Sequence, residues 1–413
     1  FARKGPLPHW VKCRSESSKP FEKAWKRAAR QVRNIDAVPP RQRRAFQPAD
    51  AVNTAALRLA IADTIKTYGP RYPDGQRRLR QLSDLEAKLS AAGSDQQTWE
   101  VQDSLAQLRR EAMGSHPELK FDKLLFLKRT SGGYGHTYTD QHASGSGGNI
   151  CLLSPVAPDG KVTSLVPELE GGLFDRFDLS WDATRVVFGY KKKIDKDQKD
   201  HRGQVFRIYE IQLDPKTGLM KPGSLKQLTF SDKAEAEAIK CHAWQGRGVD
   251  RGVDDMDPCY LPDGRIVFAS TRSQRNVFCA GSTVTTLYVM DSDGKNLRCI
   301  SASPINETAP SILSDGRIAY TRWEYVDKGL GNGQGLWSIR PDGTGNDHLF
   351  KNNTVRPAGM SNVRSIPGSQ KLVATGGTHH HTAVGPIILL DTRLGKRGTR
   401  AMDSLTPEIG YPC

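Results

Sequence analysis

Two hydrophobic periods divide the chain. Between Pro48 and residue 118, apolar side chains return every three or four positions: Leu57, Ile61 and Ile65, then Leu79, Leu82, Leu85 and Leu89, then Val101, Leu105 and Leu108. Each set falls on one face of a helix, because side chains three and four apart lie one above the other. The breaks agree with this reading. Tyr68-Gly-Pro-Arg-Tyr-Pro-Asp-Gly75 is a turn, Gly93-Ser-Asp95 closes one helix and signals a further cap, and Gly114 with Pro117 ends the third. The pattern predicts a small helical region over 48–118.

Beyond Leu119 the period shortens to that of β-strands, and one phrase recurs. It reads Leu179-Ser-Trp-Asp-Ala-Thr-Arg-Val-Val-Phe188, Tyr260-Leu-Pro-Asp-Gly-Arg-Ile-Val-Phe268, Ile312-Leu-Ser-Asp-Gly-Arg-Ile-Ala-Tyr320 and, more loosely, Ser365-Ile-Pro-Gly-Ser-Gln-Lys-Leu-Val-Ala374. Each is strand, tight polar turn, strand. A further strand follows each phrase, at Phe206–Ile211, Leu287–Asp291, Leu336–Arg340 and Ile387–Asp391, and then a short last one such as Leu225–Thr229 or Leu297–Ser301. Four strands per repeated unit is the blade of a β-propeller. An earlier unit, with Leu124–Leu127, Ile150–Leu153 and Val162–Val166, supplies one more.

The expected fold is therefore mainly β: a β-propeller of four-stranded blades over 119–413, preceded by a small α-helical region. Five blades are countable to Asp391, and Leu405–Gly410 leads into another. An open seam would expose a long sheet edge, so a complete ring of about six or seven blades is expected, with the chain a piece of a longer protein and its propeller incomplete at the C-terminal side.

Composition narrows the function classes. No run approaches the ~20 apolar residues of a membrane-spanning helix, and no transmembrane segment is expected. Residues 1–47 are basic and proline-punctuated, with one short helical stretch at Phe21–Val32, and read as an extended arm. The net charge of +15 suits an acidic partner. The basic residues are densest before Arg44 and in Lys191–Lys199, with no aromatic platform among them, so nucleic acid is the least favoured partner. The seven cysteines contain no C-x-x-C pair and no C-x-x-C-H haem attachment. Cys279 with Cys299, or Cys241 with Cys259, would suit disulfides outside the cytoplasm.

The longer phrases Asp254–Arg272, Asp315–Asp327 and Leu336–Gly345, with the lead-in Leu108–Ala112 and Phe121–Arg129, resemble the propeller of planctomycete proteins related to the hydrazine synthase alpha subunit; the shorter repeats resemble those of TolB-like proteins. The likeness covers about two-thirds of the chain. It implies the propeller fold and placement beside further domains. In that family the haems are held downstream through C-x-x-C-H motifs, which this chain lacks.

Candidate chemistry concentrates in histidines. His136 and His142, with Asp140, lie in a glycine-rich stretch between the first two strands of the first blade, and His379, His380 and His381 lie in the corresponding stretch of the last. Imidazoles from two loops meeting across a funnel, with a carboxylate, suit zinc, copper or iron. Surface loops packed against another domain are the plainer reading. The acidic run Asp254, Asp255 and Asp257 lacks the order of an EF-hand loop, so Asp257 is expected to hold neighbouring loop amides, a role repeated near Asp178. Arg322 and Glu324 are expected to form a buried pair. No G-x-S-x-G, H-E-x-x-H, P-loop or dinucleotide fingerprint occurs. The reading that results is a binding or scaffold module of an extracytoplasmic (periplasmic or secreted) protein or complex, acting with a protein partner or a further C-terminal domain. Its alternative is a component of a metal- or haem-dependent redox enzyme whose propeller loops line the active site.

Overall fold

The computed structural model describes residues 51–129, 147–157, 160–192, 205–242 (side chains to 237), 252–277, 283–326, 328, 333–352, 354–378, 385–407 and 409–411. The arm over 1–47, the stretch Phe21–Val32 and the candidate ligands His136, Asp140, His142, His379, His380 and His381 lie outside the described residues. The chain divides into two compact units, Phe1–Phe121 and Asp122–Cys413.

In the first unit, three helices form where the periodicity places them: α1 (Thr54–Tyr68), α2 (Gly75–Ser90) and α3 (Asp95–Gly114). The Asn53 side chain caps α1 by accepting the Ala56 amide at 2.9 Å, and Ser94 caps α3 through the Gln97 amide. Leu57, Ile61, Leu82, Leu85, Leu105 and Leu108 make their common core. The Tyr72 hydroxyl donates to the Ala112 carbonyl at 3.0 Å and ties the turn after α1 to the end of α3.

The second unit is a β-propeller. Its antiparallel strands run as five consecutive sheets, the last two joined into one eight-stranded sheet by a single parallel bridge between β14 and β16: β1 (Leu124–Arg129), β2 (Gly148–Ser154) and β3 (Lys161–Ser164); β4 (Leu173–Leu179), β5 (Arg185–Lys191), β6 (Arg207–Gln212) and β7 (Lys226–Gln227); β8 (Asp255–Tyr260), β9 (Ile266–Ser270), β10 (Thr286–Met290) and β11 (Arg298–Cys299); β12 (Glu307–Ile312), β13 (Ile318–Trp323), β14 (Gln334–Ile339) and β15 (Asp347–Phe350); β16 (Gly359–Ser365), β17 (Leu372–Gly377), β18 (Ile387–Leu390) and β19 (Met402–Ser404). A helix, α4 (Lys233–His242), stands in the connection between sheets two and three. Sheet one has three strands among the described residues. A long connection separates β1 from β2 and an Ala157-Pro-Asp-Gly160 turn precedes β3, so its strands occupy the second, third and fourth places of a blade.

Each first strand carries a bulge: Asp175-Arg176 in β4, Asp257-Pro258 in β8, Ala309-Pro310 in β12 and Asn362-Val363 in β16. The last three open on residues at φ +53°, +54° and +55°. The extra residue re-aims a strand, and in sheets three and four it turns one amide toward the preceding blade. The Asp257 amide donates to Asp175 Oδ2 at 2.6 Å, and the Ala309 amide to Asp257 Oδ2 at 2.8 Å. Likewise the Tyr260 amide donates to Asp178 Oδ2 at 2.9 Å. Asp257 and Asp178 thus hold backbone amides, as expected, but they do so from within strands and the amides belong to the next sheet, not to neighbouring loops.

Candidate functional site

An up-and-down sheet sorts its connections by end. The turns from first to second and third to fourth strands leave one end; the first-to-second turns are short and close through hydrogen bonds such as Gly264 N to Leu261 O and Gly316 N to Leu313 O, with the glycines at φ +88° and +84°, while the longer third-to-fourth connection 213–225 is pinned by the Leu213–Met220 bridge and the bond from Gly218 N to Asp214 O. The connections from second to third strand leave the other end and are longer, as 130–147, 192–206 and 271–285 show, and the sheet-to-sheet connections leave the same end, 228–254 with α4 being the longest of them. We call these the turn rim and the loop rim.

One backbone joint is repeated along the loop rim. It ties the start of a third strand to the start of the next sheet's first strand: Gly147 N to Gly172 O, Asp255 N to Phe206 O, Glu307 N to Thr285 O, and the parallel bridge of Gln334 with Gly359. A side chain reinforces two of them at equivalent positions. Asp254 Oδ1 accepts the Phe206 amide at 2.8 Å, and Asn306 Oδ1 accepts the Thr285 amide at 3.0 Å. The chain leaves the described residues at Arg129 and returns at Gly147, and does so again at Thr378 and Gly385, on this same rim.

The joint between sheets two and three carries a buried ionic network. Glu235, from the first turn of α4, receives Arg207 Nη2 at 2.7 and 3.0 Å and the Val253 amide at 2.7 Å. Asp255 receives Arg272 at 2.7 and 3.2 Å and the Ser270 hydroxyl at 2.7 Å, with Arg207 at 3.4 Å. Asp254 sits beside them, and the Lys191 ammonium lies 4.6 Å from the Phe206 ring centroid. Burial pushes the Asp254 carboxyl up to about 6, against the opposing pull of Lys191.

The joint between sheets three and four repeats the acid with poorer company. Glu307 stands where Asp255 stands, fully buried, with the Ser301 hydroxyl on Oε2 and the Arg322 guanidinium 3.9 Å from Oε1. Burial pushes its carboxyl up to about 7. Arg322 is held over the Trp337 ring at 4.5 Å. The expected Arg322–Glu324 pair does not form. Successive strand residues point to opposite faces but residues two apart share one, and Glu324 lies beyond the end of β13, where it binds Lys328 Nζ at 2.7 Å and faces His348 Nε2 at 3.5 Å. Behind it, Lys351 is buried with Nζ on the Thr354 carbonyl, and burial lowers it to about 8.

Asp254, Asp255 and Asp257 turn to three different sets of partners. Among the described residues no group of three or more His, Cys, Asp or Glu is placed to hold a metal ion. Cys259 and Cys299 are free thiols, so neither expected disulfide is formed. Among the described residues no helix is long and apolar enough to cross a membrane.

No family profile matches the chain, and no curated protein does. Solved structures are similar in fold. A hydrazine synthase from Kuenenia stuttgartiensis has 13% identity and a TM-score of 0.48 over 69% of this chain and 39% of its own. The chain therefore spans about two-fifths of that relative's length. A TolB from Agrobacterium tumefaciens has 14% identity and a TM-score of 0.40, covering 68% of this chain and 80% of that one. A TolB from Acinetobacter baumannii has 12% identity and a TM-score of 0.40, covering 73% and 59%.

The ionic partners Arg207, Glu235, Arg272 and Glu307 were not singled out by sequence reasoning. A signal for the joints existed: Asp254-Asp-Met-Asp-Pro258 and Asn306-Glu-Thr-Ala-Pro310 carry an amide-like or acid side chain, an acid and a proline at the same spacing.

Proposed function

We propose that the protein is a binding scaffold of an extracytoplasmic assembly and that the loop rim is its working face. The observation that carries this is the sorting of the connections: the turn rim is held by hydrogen-bonded turns, while the second-to-third connections and the α4-bearing 228–254 open on the other side, where the repeated joint fixes the start of the third strand in sheets one to four. Rigid elements presenting long loops are the usual basis of recognition. The exposed apolar side chains Phe230 and Val355 stand in two of the sheet-to-sheet connections. The resemblance of the longer sequence phrases to propellers related to the hydrazine synthase alpha subunit supports an assembly of that kind.

The test is stoichiometric co-purification of a partner from the source cells, with Phe230→Asp and Val355→Asp on the loop rim against Trp181→Asp, exposed on the turn rim. The reading expects the loop-rim variants to lose the partner and Trp181→Asp to keep it. The reverse pattern, or no partner at all, overturns it.

A second reading places a transition metal in the same face, with His136, His142, His379, His380, His381 and Asp140 as ligands of a redox component. It is favoured by one relation: 130–146 and 379–384 both join a second-place strand to a third-place strand, in sheets one and five. Elemental analysis with His136→Ala and His380→Ala tests it. Near-stoichiometric metal that falls in both variants supports a shared site, and metal-free folded protein removes it.

A further inference from the structure

Asp255 and Glu307 occupy the same place in consecutive blades, and the two are finished differently. Asp255 has both oxygens engaged, by two arginines and a serine. Glu307 is fully buried with the Ser301 hydroxyl on Oε2 and the Tyr320 hydroxyl facing it, and its Oε1 has no hydrogen bond. The guanidinium nearest to that oxygen stands off at 3.9 Å, retained by its stack on Trp337, and its Nε also lacks a partner. Thr285, whose carbonyl accepts the Glu307 amide, has a fully buried hydroxyl without a hydrogen-bond partner. A charged carboxylate in such a place would be under-solvated and under-paired, whereas a neutral acid suits it.

We propose that Glu307 is a pH-operated latch on the joint between sheets three and four, closed while the carboxyl is protonated and loosened at the start of β12 when it ionises. The groups facing it are Arg322 and Tyr320 from β13, Arg275 from the connection between β9 and β10, and Ser301 from the approach to β12. The nearby acids are already satisfied: Asp255 as above, and Asp257 by Arg176 at 3.0 Å and the Ala309 amide. The latch therefore belongs to Glu307 and not to a shared acidic cluster. The carboxyl moves from its ordinary 4.5 up to about 7 on folding. Its stabilising contribution is complete below the lower value and is lost as pH rises through the upper one.

The experiment follows urea unfolding of the full chain from pH 5 to pH 8, together with amide exchange of the peptide spanning 305–323. The unfolding constant of the wild type gains up to about tenfold per pH unit from this group below pH 7 and then levels off, and protection at the start of β12 falls in step after correction for intrinsic exchange. Glu307→Gln removes that component. Ser301→Ala, which deletes the hydroxyl donated to Oε2 of the ionised form, moves the transition to higher pH and serves should the glutamine variant fail to fold. A wild-type profile that Glu307→Gln leaves unchanged, or a transition that Ser301→Ala leaves in place, overturns the proposal.

Discussion

The Asp257 carboxylate accepts the Ala309 amide at 2.8 Å, one first strand holding the next across a separation of 52 residues. Its other oxygen holds Arg176 at 3.0 Å, and its own amide is held by Asp175. Asp257 is therefore a relay between three blades. Asp257→Ala leaves a buried amide without its acceptor, removes one partner of the part-exposed Arg176 and keeps the unfavourable φ of +53°, so a loss of about 1–3 kcal/mol is expected in denaturant unfolding. Asp257→Asn keeps an acceptor and tolerates that φ, and should recover at least half of the loss. Equal losses in the two variants would deny the relay.

Ala309 occupies the same bulge place at φ +54° with a side chain that gains nothing from it. Ala309→Gly relieves the backbone at little cost in burial, while adding chain entropy to the unfolded state. The expected net effect is between no change and a gain of about 1 kcal/mol. Ala309→Val, β-branched at positive φ, should be destabilised by more than about 2 kcal/mol. Urea midpoints of the two variants measured side by side decide it.

Glu235 anchors α4 by taking Arg207 on both oxygens and the Val253 amide on one. Removal of one partner of a buried pair strands the other. Glu235→Ala should cost about 3–5 kcal/mol, and Arg207→Met with Glu235→Met together should cost less than the single change. A double-mutant cycle in equilibrium unfolding measures the coupling.

Asp254 gives a separate pH signature. Its carboxyl is raised from 3.8 to about 6 by burial, so its contribution is complete below the first value and lost as pH rises through the second. Asn306 shows that an amide side chain can make the same bond in the next joint, at 3.0 Å. Asp254→Asn should therefore fold normally, flatten the pH dependence of stability between pH 4 and pH 6, and match or exceed the wild type at pH 7. Thermal midpoints across that range check the slope.

The sequence carried its repeat on the surface of the text. Asp263-Gly264 and Asp315-Gly316 mark hairpins because only certain residues make those turns, and Leu82, Leu85, Leu105 and Leu108 mark helix faces because their spacing is the helix period. Both are local facts. The partners of Arg322 were not local: Glu307 and Trp337 reach it from neighbouring strands, and adjacency in the sequence pointed instead to Glu324. α4 was also missed. Lys233–His242 is a short run anchored through Glu235 by Arg207 and Val253, contacts that helix spacing does not register.

The repeated joint at the base of the long connections bears on how such a chain can change. Because the joint fixes the start of the third strand in sheets one to four and the strand ladder holds the end of the second, residues added between them face chiefly the entropy of closing a longer loop, about 0.6 kcal/mol for each doubling in length. The ring is indifferent to what is inserted there. Loop length and composition on that face are free to diverge while the blades beneath stay in register, and segments grafted between Val277 and Thr283, or between Lys328 and Gly333, keep Arg272, Thr285 and Glu324 in place.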